Sequence, residues 1–145
     1  MRVVLQRVST ARVRVEGAVV GKIDHGLLLL VAFAPDDATE QLVWMAEKIV
    51  NLRIFPDEAG MMNRTVVEAG GALLVVSQFT LYGDARKGRR PSFVGAAPSN
   101  IATALYERFV ELLRERGVPI ATGLFGATMS VELINDGPVT LILDH

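Results

Sequence analysis

Leu73-Leu74-Val75-Val76-Ser77-Gln78-Phe79-Thr80-Leu81 decides how this chain folds. Four branched apolar residues in a row, bounded by Gly70-Gly71 upstream and Gly83-Asp84 downstream, suit a strand covered on both faces better than one with a wet side. The run then turns into hydroxyls and an amide, so the strand opens onto something polar. If the chain stays extended, Gln78, Thr80 and Tyr82 share one face while Ser77, Phe79 and Leu81 share the other. An amide and a hydroxyl are then aimed together. On spacing alone, an amphipathic strand end with Gln78 and Thr80 in water accounts for the pattern as well.

Working outward, strands dominate the first quarter. Arg2 to Val8 is mostly apolar or β-branched, and Ala11, Val13 and Val15 alternate with Arg12 and Arg14. Glu16-Gly17 turns the chain into Ala18–Ile23, Asp24-His25-Gly26 turns it again, and Leu27–Phe33 is a second apolar strand. Pro35-Asp36-Asp37 offers caps for a helix over Ala38–Val50, with Leu42, Met45, Ala46 and Ile49 on one face and Trp44 at its margin. Asn51–Phe55 reads as a short strand. Ser99 is placed to cap a second helix carrying Ile101, Leu105, Phe109, Leu112 and Leu113 on one side, ended by Gly117 and Pro119. The remainder reads as strand: Val118–Ala121, Thr122–Ala127, Met129–Ile134, then Pro138–Leu143 after a turn at Asn135-Asp136-Gly137. Many strands and two amphipathic helices, unevenly interleaved, predict an α+β domain whose mixed and antiparallel sheets curl into a barrel-like core.

The chain has 145 residues, half of them apolar, which is enough core for one domain over 1–145. With no cysteine, disulfides, thiolate catalysis and cysteine-bound zinc are excluded. Two histidines in separate turns or ends, His25 and His145, give neither a Ser-His-Asp triad nor a histidine metal site, and no cofactor is expected. A start without a long apolar segment predicts a cytoplasmic protein with no membrane partner. The formal charge of −1 means that any anionic partner must be held locally. Arg86, Lys87, Arg89 and Arg90 provide such a cluster in a Gly- and Pro-rich loop beside the strand end. A charge run of this kind is either solvated surface or a contact for a nucleic-acid backbone.

Asn135-Asp136-Gly137-Pro138 reads locally as a hairpin turn with proline opening the next strand. A Gly-Pro bond also adopts the cis form at modest cost, which would aim the Gly137 and Pro138 carbonyls outward as fixed acceptors. With Ser77-Gln78-Phe79-Thr80-Leu81, Asn135-Asp136-Gly137-Pro138-Val139-Thr140, Gln6-Arg7-Val8, Asn51-Leu52-Arg53-Ile54-Phe55, Arg90-Pro91-Ser92-Phe93 and Gly123-Leu124-Phe125-Gly126-Ala127 all in place, the sequence resembles the D-aminoacyl-tRNA deacylases from end to end. Val31-Ala32-Phe33 and Gly83 depart locally from the family pattern without touching its two main motifs.

That resemblance implies a homodimer that hydrolyses the ester of D-aminoacyl-tRNA, and of glycine misattached to tRNA-Ala, while rejecting L-aminoacyl-tRNA. It implies that Gly137 and Pro138 enter the partner subunit's pocket, that Arg7 holds them, and that Ser77, Gln78, Phe79 and Thr80 face them. Ester hydrolysis needs a water, a place for the oxyanion and a manager of protons. Nucleophilic Thr80 lacks an adjacent activating group, so main-chain N–H groups near Phe79 and Thr80, with Gln78 orienting the substrate and the ribose 2′-hydroxyl assisting, rank ahead of it. Phe125, Gly126, Ala127 and Met129 are candidates to contact the terminal adenine, or else are plain core. The competing reading is a non-catalytic module that binds tRNA ends or another protein.

Overall fold

In the computed structural model, which describes residues 1–145, the chain forms eight strands, two α-helices and one 3₁₀ turn. The order is β1 (Arg2–Val15), β2 (Ala18–Ile23), β3 (Gly26–Ala32), α1 (Thr39–Asn51), β4 (Phe55–Pro56), β5 (Met62–Arg64), β6 (Ala72–Ser77), the 3₁₀ turn (Phe79–Tyr82), α2 (Ser99–Arg114), β7 (Ile120–Thr122) and β8 (Ser130–Asp144). The fold is thus α+β with a mixed sheet, as the element pattern predicts.

β1 is the spine. One edge pairs antiparallel with β3 through its first half and with β2 through its second, while the other edge pairs with β8 from end to end. β3 pairs parallel with β6, and β6 pairs parallel with β7. The sheet curls until β2 meets β7: a Cβ built at Gly21 would sit 2.2 Å from the Thr122 carbonyl oxygen, so only glycine lets the backbones approach there.

That curl explains the apolar run of β6. Leu74 and Val76 point into the barrel with Val8, Ala11, Val13, Ile23 and Leu28. Leu73 and Val75 point the other way, toward Leu42, Met45 and Ile49 of α1 and Phe109 and Leu113 of α2. Both faces are buried, which is why the strand alternates in direction but not in polarity.

Four local expectations give way to longer-range forces. Residues after Gln78 do not stay extended: Phe79–Tyr82 wind into a 3₁₀ turn, so Gln78, Thr80 and Tyr82 do not share a strand face. Asn51 belongs to α1, and only Phe55–Pro56 of the expected Asn51–Phe55 strand pairs, with β5. Residues 123–129 form a turning connection, not a strand. Asn135–Pro138 is no hairpin, because β8 keeps its direction and stays on β1. Gln6 faces Thr140 and Val8 faces Asn135, so Arg7 alone spans the four residues Asp136–Val139, which bulge out of the ladder.

The caps also differ. α1 starts after Ala38, whose N–H donates to the Gln41 side chain at 3.0 Å. Asp37 is instead paired with the Met1 amino group at 2.6 Å. α2 starts after Pro98, with Ser99 its first residue and no side-chain cap, and Ile101 stays exposed while Tyr106 is buried.

Candidate active site

Ser77 ends β6 beside Val31 of β3, and the Gln78 N–H donates to the Val31 carbonyl at 2.7 Å. Beyond that last rung the chain winds up. Leu81 N–H returns to Gln78 O at 3.2 Å and Gly83 N–H to Thr80 O at 2.9 Å. The N–H groups of Phe79 and Thr80, first in the turn, meet no acceptor within the chain, as the opening of any helix requires. The Gln78 amide donates to the Thr80 hydroxyl at 2.5 Å, so the two polar side chains are joined even though the strand alternation fails.

A cavity of about 510 Å³ opens at this point, at the carboxyl ends of parallel β3 and β6. It brings together seven residues singled out from the sequence: Ser77, Gln78, Phe79, Phe125, Gly126, Ala127 and Met129. Thr80 stands exposed next to them and is not part of the wall. Most of the lining is apolar, as ligand sites commonly are. Phe79 is 57% exposed and is braced edge-on by Phe93, centroids 5.2 Å apart.

The sequence reading missed the wall residues Phe33, Ala97, Ser99 and Ala102, and one supporting group, Tyr106. The buried Tyr106 hydroxyl donates to Val75 O at 2.9 Å, and its ring packs on Phe125 at 5.6 Å. Burial pushes this phenol up to about 12. Nothing in the local pattern distinguishes Tyr106 from an ordinary apolar helix position; only its partners do.

The bulge is built by its own motif. Asn135 Nδ2 donates to Thr140 Oγ1 at 2.9 Å, and Asn135 Oδ1 accepts from the Val139 N–H at 3.2 Å, clamping the base. Beneath it lies the Arg7 guanidinium, which donates to Ile54 O at 2.6 Å and to Asp136 O at 3.2 Å. Gly137 has φ +125°, and a Cβ there would lie 2.9 Å from Arg7 Nη2. The Gly137-Pro138 bond is cis and both residues are exposed.

Gly137 and Pro138 do not line the cavity of their own chain. Val131 in the cavity wall pairs with Val13, whereas the bulge lies opposite Arg7. The two rungs are six positions of β1 apart, and Val31, also in the wall, pairs with Val3, four positions from Arg7.

The basic loop leaves the 3₁₀ turn and is pinned by reciprocal main-chain bonds between Asp84 and Ser92, 2.8 and 2.9 Å. Arg86 is held bidentately by Asp84, which keeps that carboxyl below its usual range and raises the guanidinium. Lys87, Arg89 and Arg90 are exposed and unpaired within the chain. The cluster therefore presents three free cations, not four. Neither histidine is at the site: His25 bonds Ala69 O, and His145 stacks on Trp44.

The fold and site together define a small α+β domain with a mostly apolar cavity at the carboxyl ends of two parallel strands, bordered by two main-chain N–H groups without acceptors and one amide–hydroxyl pair. The model of the family described as D-Tyr-tRNA(Tyr) deacylase matches residues 4–144, and the chain belongs to that family. Among relatives, the D-aminoacyl-tRNA deacylase of Desulfatibacillum aliphaticivorans is 57% identical over 99% of both chains. That of Thermomicrobium roseum is 58% identical over 99% of this chain and 94% of its own. The solved structure of a protein named c-Myc DNA Unwinding Element Binding Protein superposes with a TM-score of 0.94 at 39% identity, covering 100% of this chain and 99% of that one. A second, described as a probable eukaryotic D-amino acid tRNA deacylase, gives 0.82 at 23% identity over 99% of this chain and 98% of its own, and shares the fold.

Proposed function

We propose that this chain hydrolyses the ester of D-aminoacyl-tRNA, and of glycyl-tRNA, in the cytoplasm where charged tRNA is found. The observation that carries the reading is the convergence of Ser77, Gln78 and Phe79 with Phe125, Gly126, Ala127 and Met129 on one cavity, beside two unfilled N–H donors. The carbonyl oxygen of the ester sits between the Phe79 and Thr80 N–H groups, which stabilise the charge that develops as water attacks. The 2′-hydroxyl of the terminal ribose orients that water, takes its proton as the water attacks, and hands its own proton to the departing 3′-oxygen. Gln78 and Thr80, tied to each other, position the substrate. Phe125, Gly126, Ala127 and Met129 receive the adenine, and Lys87, Arg89 and Arg90 face the backbone.

Handedness comes from a second copy. Because the exposed Gly137-Pro138 bulge takes no part in its own cavity, it serves the partner's, where its carbonyls exclude an L side chain and leave D side chains and glycine room. Such a filter works by exclusion, so it is indifferent to the kind of D side chain.

A second reading, a non-catalytic module that binds nucleic acid, is favoured by the 39% identical structure, whose name is that of a DNA-binding protein. Ester cleavage of matched D-, L- and glycyl-tRNA separates the two. Turnover of the D and glycyl substrates with the L ester spared supports the deacylase; binding of D-aminoacyl-tRNA without turnover favours the module.

A further inference from the structure

Among the residues that line the cavity of about 510 Å³, only Ser77, Gln78 and Ser99 have side chains able to hydrogen-bond. Ser77 and Gln78 lie directly before the unfilled N–H groups of Phe79 and Thr80, and the Gln78 amide is tied to the Thr80 hydroxyl. Ser99 stands apart from them, on α2. Its carbonyl accepts from Thr103 Oγ1 at 2.7 Å, while its own hydroxyl has no partner within the chain.

Helical spacing fixes where that hydroxyl stands. Ser99, Ala102 and Tyr106 fall at i, i+3 and i+7 and form one stripe along α2. Tyr106 is its anchored end, with the ring on Phe125 at 5.6 Å and the hydroxyl on Val75 O at 2.9 Å. Seven residues of helix set Ser99 about 10 Å further along the axis. Between the two, α2 offers only the methyl group of Ala102, so this part of the wall stays open from Phe125 to Ser99. The start of the helix is held as well, because the Ala97 N–H donates to Phe33 O at 2.8 Å and ties the chain before α2 to the end of β3.

An apolar floor of Phe125, Ala102 and Ala97 with one free hydroxyl at its rim suits a flat ligand that has apolar faces and a polar edge. A nucleobase has that form. The serine hydroxyl carries no charge and both donates and accepts, so it answers an amino group or ring nitrogen of the base.

We propose that Ser99 reads the base of the terminal nucleoside, its Oγ accepting from the exocyclic amino group of the adenine that lies against Phe125, Gly126 and Ala127. The proposal rests on the deacylase reading and names the contact that the start of α2 makes with that substrate. It gives the site a preference among bases, separate from the selection of handedness.

The test compares the D-tyrosyl ester of adenosine with that of purine riboside, which lacks only the 6-amino group, on wild type and Ser99→Ala, with D-tyrosyl-tRNA as reference substrate. In wild type, loss of the amino group is expected to raise KM roughly 3- to 10-fold with kcat unchanged. Ser99→Ala is expected to raise KM for the adenosine ester by about the same factor, again at unchanged kcat, and to give the two esters equal KM, because the amino group then has no partner left to lose. Three results overturn the assignment and leave the deacylase reading intact: equal KM for the two esters in wild type, an effect of the amino group as large in Ser99→Ala as in wild type, or turnover of D-tyrosyl-tRNA with neither small ester cleaved. Failure of wild type to cleave D-tyrosyl-tRNA as well overturns both.

Discussion

Thr80 carries the only hydroxyl within reach of Gln78 in the 3₁₀ turn, yet no histidine or lysine stands beside it to make it a nucleophile. With main-chain donors bearing the oxyanion, Thr80→Ala is expected to lose less than about 100-fold in kcat, the lower bound for removing one oxyanion donor. Single-turnover hydrolysis of D-aminoacyl-tRNA checks this, and abolished turnover would make the hydroxyl the nucleophile. Gly137 is constrained differently. Its φ of +125° and the 2.9 Å approach of Arg7 leave no room for a methyl group. Gly137→Ala is expected to cost about 1–3 kcal/mol, seen as a lowered thermal midpoint.

At the scale of elements, Tyr106 fastens α2 to β6 and shapes the wall through Phe125. Its folded-state pKa of about 12 lies above the ordinary 10, so the folded form holds its proton longer than the unfolded one. The stability this contributes is complete below pH 10 and is lost as pH rises toward 12. Tyr106→Phe is expected to be less stable at pH 8, having left Val75 O without this donor. Its stability should then fall less steeply than wild type's between pH 10 and 12, measured by urea unfolding at each pH. The basic loop makes a separate prediction. Replacing Lys87, Arg89 and Arg90 together by alanine should raise KM for tRNA and flatten the dependence of log(kcat/KM) on log salt by roughly 2.

Elements also show what the sequence made legible. The covering of β6 on both faces, the two helices and the contents of the cavity follow from apolar periodicity and from family motifs, because both report burial directly. Asn135-Asp136-Gly137 misleads because it is the strongest local turn signal in the chain, while the ladder with β1 that keeps β8 straight is set by residues more than 100 positions away. Phe79–Tyr82 misleads in the opposite sense. Its aromatic and β-branched residues favour a strand, but no neighbouring strand extends far enough to pair with it. Tyr106 had no signal at all, since its role exists only once Val75 and Phe125 are beside it.

For the whole molecule, the proposed chiral filter calls for two copies. The outer face of β8 leaves Ile134 and Ile142 60% and 68% exposed on the strand that carries the bulge, an apolar surface suited to a second subunit. In a single chain the bulge takes no part in the cavity, so the proposed filter is missing from it. The most direct measurement is therefore the oligomeric mass, circular dichroism and D-aminoacyl-tRNA turnover of one preparation of the Ile134→Glu, Ile142→Glu variant beside wild type. The expected result is an active wild-type dimer and a folded, monomeric variant with no chirally selective turnover. A folded monomer that cleaves the D ester at the wild-type rate and still spares the L ester would contradict a filter built from two chains.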